Sequence, residues 1–153
     1  MNLKYNTISS IGPPRFAIAV HALICMTQRG CILSSAAIAG QVNTHATFLR
    51  RVMASLANAG LVEAKEGRDG GYLLKLPPNR IWLADVYLAM KSECTEHGGI
   101  DVDCGEAGKQ VDVELEKIMA QAEHHMVEYL RQFSIADVMK RTSFFSPPCE
   151  GRD

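Results

Sequence analysis

Apolar side chains at Phe16, Ala17, Val20, Leu23 and Ile24 recur at spacings of three and four, which predicts a helix over about 14–27. Pro13-Pro14 opens it, since proline is pre-set for the first helical position, and Gly30 stops it. Cys31-Ile32-Leu33 is short enough for a lone strand. Ser34 is a good N-cap for a helix of scarcely two turns over 36–42, and Asn43-Thr44-His45 form a tight turn. The helix that follows, from Ala46 to about Ala59, places Phe48, Leu49, Val52, Met53 and Leu56 inward. Its outer face carries Thr47, Arg50, Arg51, Ala54, Ser55 and Asn58, and Gly60 ends it. Two short β-prone runs, 61–65 and 72–76, flank Gly67-Arg68-Asp69-Gly70-Gly71 and read as a hairpin with a glycine-rich tip. Helix, short strand, helix, turn, helix, hairpin is the order of a winged helix-turn-helix.

Pro77-Pro78 breaks the chain before a helix over about 84–91, and 94–110 reads as a glycine-rich, cysteine-containing loop. From Val111 the apolar positions Val111, Leu115, Ile118, Ala122, Met126 (or His125), Tyr129 and Phe133 alternate mostly by four and three, a seam like that of a coiled coil. A helix with such a seam needs a partner, most economically its own copy; packing against its own domain is the alternative. Ser134-Ile135-Ala136-Asp137 resembles a capping box and opens a short last helix. The expected fold class is therefore mainly α with a small β wing. A winged helix-turn-helix domain occupies 1–80, a connecting helix and cysteine-containing loop 81–110, a dimerisation helix with the short last helix 111–142, and a frayed tail 143–153.

Composition narrows the class. At 153 residues, 47% hydrophobic and 22% charged, the chain is the size of one domain, or of one small domain with an extension, and is neither disordered nor a disulfide miniprotein. Its longest apolar stretch, 16–26, contains His21 and falls short of the about 20 residues a bilayer demands; with Gln28-Arg29 where a signal cleavage site would need small residues, a cytoplasmic location is expected. Net charge is only −1, but the average conceals a division. Residues 1–80 carry nine Lys or Arg against three acids, net +6, and residues 81–153 carry seven against fourteen, net −7. A basic front on an acidic back suggests that the first meets a polyanion. Phosphate-cradling loops and nucleophile elbows are absent, which argues against an enzyme: the run from Gly67 to Gly71 leads into a strand rather than a helix.

These residues carry a likeness. Arg15-Phe16-Ala17-Ile18-Ala19-Val20-His21, Asn43-Thr44 with Leu49-Arg50-Arg51, Ala59-Gly60-Leu61-Val62, Gly70-Gly71-Tyr72 and Leu83-Ala84-Asp85-Val86 together resemble the Rrf2 family of bacterial winged-helix regulators. The long helix with Ile135-Ala136-Asp137 extends the resemblance almost to the C-terminus. Two departures stand out: Pro14 precedes the helix-one arginine where the family usually has serine, and Trp82 replaces a Thr that would cap the next helix. The resemblance implies a homodimeric regulator, a repressor in the simplest reading, that binds double-stranded DNA with two symmetric half-sites. The helix from Ala46 would enter the major groove and the wing would touch backbone or minor groove.

The residues support the same interface independently. Arg50 and Arg51 lie on the polar face of the second motif helix, and arginine is the side chain best shaped to bond guanine O6 and N7 bidentately; either can instead be a solvated surface arginine. Thr44, His45 and Thr47 can donate to phosphate or base edges, with capping an equal role for Thr44. Arg68 at the wing tip, which no apolar core can hold, suits a phosphate or the minor groove. Arg15, in the matching helix-one motif, completes the set. A winged-helix adaptor that never meets DNA is the rival class, separated by salt-dependent duplex binding.

Many relatives, the resemblance implies, hold an iron–sulfur cluster on three closely spaced cysteines before the long helix. Here that loop offers Cys94 and Cys104, with His97, Asp101 and Asp103 between or near them. No cofactor is expected, with a cluster partly ligated by Cys94, His97 and Cys104 as the alternative. A thiol modified by an oxidant or an electrophile fits better: Cys104, in a polar loop, as the redox-sensing group and Cys94 as its resolving partner. Five cysteines without framework spacing suit a reducing compartment. His21 with Cys25, at i and i+4, is read as structural.

Overall fold

The computed structural model describes residues 13–91 and 105–142. Helix α1, Pro14–Arg29, starts on proline as expected and ends where Gly30, in the left-handed region at φ 62°, donates its N–H to Met26 O. Ser34 caps α2, Ser35–Val42, accepting from the Ala37 N–H. Asn43 then takes φ 54°, which Asn tolerates better than most non-glycine residues, and lets the chain reverse within three residues into α3, Ala46–Asn58. Leu23, Met26, Ile38, Leu49, Val52, Met53 and Leu56 from these three helices are fully buried in one core. Burying a side chain of this size is worth about 1.5–3 kcal/mol.

The wing is a two-stranded antiparallel sheet of β1, Val62–Lys65, and β2, Gly71–Leu74, in register Val62 to Leu74 and Lys65 to Gly71. Leu33 makes the third, single-residue strand: it exchanges both backbone hydrogen bonds with Tyr72, at 3.1 and 2.8 Å. That approach depends on Gly71, because a Cβ there would stand 2.3 Å from Leu33 O. A turn of 3-10 helix at Pro78–Arg80 leads to α4, Leu83–Lys91, whose first turn closes on the Trp82 carbonyl.

Helix α5 runs Gly105–Leu130, so residues 105–110, read from the sequence as loop, are its first turn and a half. They are exposed or half-buried and carry no apolar period; Glu106 in the first turn favours the helix through its dipole instead. The helix also stops short of Phe133, which lies in the following turn with its ring 5.2 Å from that of Tyr129 and beneath the Arg141 guanidinium. Helix α6, Ile135–Arg141, has the full capping box between Ser134 and Asp137. It returns to the amino-terminal core: Ile135 is fully buried there, and backbone bonds from Leu83 to Phe133 and from Ile135 to Ile81 fasten it beside the start of α4. No described helix is long and apolar enough to cross a membrane.

Candidate nucleic-acid interface

Helix α3 buries one face and presents the other. Thr47, Arg50, Arg51, Ala54 and Asn58 form an exposed stripe at helical spacing, opposite the buried Leu49, Val52, Met53 and Leu56. Ser55, expected on this outer face, is instead buried; its hydroxyl donates to Arg51 O at 3.1 Å, which removes the cost of burying it. His45 occupies the N-cap without a side-chain capping bond, so the first-turn N–H groups of α3 receive no cap from it. Thr44 is half-buried and its backbone N–H goes to Ala39 O, while His45 and Thr47 are exposed at the helix entrance.

Two neighbours bear on this stripe. The Arg15 guanidinium lies 6.0 Å from the centre of the Phe48 ring, a cation–π distance that brings the start of α1 against α3. Arg50 Nε donates to Ser35 Oγ on α2 at 3.3 Å. Ser35 was missed in the sequence, where only Ser34 carried a capping signal; a hydroxyl reaching an arginine fifteen residues away leaves no periodic trace. Arg68 is exposed in the turn that Gly70 closes by donating to Gly67 O. The structure thus gathers Arg15, Arg50, Arg51, Thr47 and His45 on and around α3, and sets Arg68 on the wing.

Cys94, His97 and Cys104 lie outside the described residues. Among the described residues no three His, Cys, Asp or Glu side chains are grouped to hold a metal ion. Cys25 is buried and Cys31 exposed, while His21 points away from the core.

A short, solvent-facing helix held across a tight turn, with a wing beside it, defines a winged helix-turn-helix DNA-binding protein. Residues 14–141 match the Rrf2 family, described as iron-dependent transcriptional regulators, and the chain belongs to that family. The HTH-type transcriptional regulator YwnA of Bacillus subtilis is 30% identical over 130 residues, covering 82% of this chain and 94% of YwnA. Two solved structures share the fold at 21% identity. A transcriptional regulator from Lactobacillus plantarum superposes with a TM-score of 0.68 over 82% of this chain and 87% of its own; IscR of T. potens does so with 0.60 over 86% and 90%. The chain is accordingly a DNA-binding transcriptional regulator, not an enzyme. Iron in the family description makes the donor set matter. With two cysteines between 92 and 104, this chain is one thiolate short of a three-cysteine cluster and does not fit it.

Proposed function

We propose that this protein is a cytoplasmic, homodimeric repressor that occupies duplex DNA bearing two symmetric half-sites. The observation that carries the reading is the exposed stripe of α3, in which two guanidinium groups project beside an N-terminus that His45 leaves uncapped. In this reading Arg50 and Arg51 bond base edges, while Thr44, His45, Thr47 and Arg15 meet phosphates around the helix entrance. Arg68 reaches backbone or minor groove from the wing. Dimerisation through α5 is supported by its seam, where Val111, Leu115, Ile118, Met126 and Tyr129 are all exposed in the single chain.

Selection of bound duplexes from a random pool tests it. The expected product is an inverted pair of short half-sites; recovery of unrelated duplexes, bound alike by wild type and Arg50→Ala, overturns it. For the signal, the reading keeps Cys104 as the reactive thiol. A hydroperoxide oxidises its thiolate to the sulfenic acid with release of the alcohol, and Cys94 displaces hydroxide, which leaves as water, to form the disulfide. Oxidant should release DNA from wild type but not from Cys104→Ser. Release from both removes Cys104 from the mechanism, and a visible chromophore with stoichiometric iron after anaerobic purification favours the partial-cluster alternative.

A further inference from the structure

Helix α5 is held to its own winged domain by little apolar surface, since Val127 is its one buried residue. One turn earlier comes a polar fastening. Tyr87 Oη donates to Glu123 Oε1 at 3.0 Å, and Lys91 Nζ donates to Glu123 Oε2. Both donors stand on α4 at i and i+4, so the two carboxylate oxygens are taken by successive turns of one helix face. A carboxylate held by one donor can swivel; held by two from a rigid helix, it fixes rotation as well as distance. Tyr87 also meets the buried Phe16 of α1 edge to face, with ring centres 5.9 Å apart, which ties the fastening to the core of the winged domain. The Lys91 side chain, and after it the Tyr87 hydroxyl, hold the Glu123 carboxyl below its ordinary range, so the carboxylate is charged at neutral pH.

We infer that Glu123, gripped by Tyr87 and Lys91, is a positioning residue that sets the angle at which α5 leaves the winged domain, and with it the half-site spacing the dimer accepts. The inference rests on the proposed dimer through α5. The lever is long enough: from Glu123 to Val111 the helix extends about 18 Å at about 1.5 Å per residue. A tilt of about 10° over that length moves the seam by about 3 Å, close to the rise of about 3.4 Å per base pair. Each base pair also turns the second half-site by about a tenth of a turn. Loosening the angle should therefore blur the spacing preference while leaving each recognition helix intact.

The test uses the full-length protein and a set of duplexes carrying two copies of the half-site selected by wild type, with spacers lengthened or shortened by one and two base pairs. Wild type should favour one spacer by about fivefold or more. Glu123→Ala should remain dimeric by light scattering and bind an isolated half-site as wild type does, yet bind all spacers within about twofold of one another. Tyr87→Phe removes a single hydroxyl and should flatten the profile partway, with Glu123→Gln, which still accepts from Tyr87, closer to wild type than Glu123→Ala. A sharp wild-type profile reproduced unchanged in Glu123→Ala and Tyr87→Phe overturns the positioning role. A flat profile in wild type overturns the two-half-site reading itself, and the positioning role with it.

Discussion

A guanidinium that reads a base must have its approach fixed before contact, or ordering it cancels part of the gain. Arg50 has such a restraint: Ser35 accepts from Nε, which would leave the two terminal nitrogens for the paired contact with guanine proposed for it. Arg50→Ala and Arg51→Ala should each cost about 1–3 kcal/mol against the preferred base at one position, read by competition among half-sites differing at single base pairs. Ser35→Ala should cost less, about 0.5–1.5 kcal/mol, and at the Arg50 position alone. Loss spread evenly over all positions would show that Ser35 only supports the fold. Arg68→Ala should weaken all sequences alike and shallow the salt dependence by about one ion. At this scale the outer stripe of α3 was legible because exposed and buried residues alternate with the helical period. Ser55 was not, because serine is polar by composition and becomes compatible with burial only through a bond to its own helix.

Among the elements, the wing depends on a backbone approach rather than on side chains. In Gly71→Ala the new Cβ would stand against Leu33 O, with Leu33 C at 2.6 Å and Ser34 N at 3.0 Å behind it. The expected result is loss of the two Leu33–Tyr72 hydrogen bonds, about 1–3 kcal/mol of stability, with faster amide exchange at both residues. An unchanged melting temperature would mean that the wing is not anchored there. The α6 capping box makes an opposite-sign test available through acid. Ser134, chiefly through its backbone N–H, holds the Asp137 carboxyl below its ordinary value. A carboxyl depressed in the folded state contributes stability above its unfolded pKa and loses it as pH falls through the folded one. Below pH about 4 the melting temperature of wild type should therefore fall more steeply than that of Asp137→Asn. The order of elements through the wing was legible, since proline, glycine and N-cap signals punctuate it. The first turn and a half of α5 was not: its residues face solvent, so no apolar period marks them. The burial of Ile135 in the first helix's core was equally hidden, because periodicity reveals that a residue is buried but not against what.

For the whole molecule, the division into a basic front and an acidic back takes on spatial meaning. Helix α3 carries Arg50 and Arg51 and no acid, the basic groups of the wing are offset by Glu63, Glu66 and Asp69, and α5 carries six acids against Lys109 and Lys117. The local positive charge of α3 thus persists despite a net charge of −1. The seam of α5 is where two such molecules would meet. Ile118 is 58% exposed and Tyr129 61% exposed in the single chain, and a row of apolar side chains this long seldom stays in water. In a two-fold pair the same residues would cover one another, as an isologous interface requires. Ile118→Glu places a charge at the middle of that seam on a face that touches nothing in its own chain's core, so the winged domain should keep its melting behaviour. Light scattering should give twice the 16.8 kDa chain mass for wild type and the single mass for the variant at micromolar concentration. Because the second half-site contact is made at the effective concentration set by the dimer, the monomer should bind the paired site about a hundredfold or more weaker while retaining its affinity for one half-site. A variant that stays dimeric would move the interface away from α5, and one that becomes monomeric yet binds the paired site undiminished would separate dimerisation from DNA recognition.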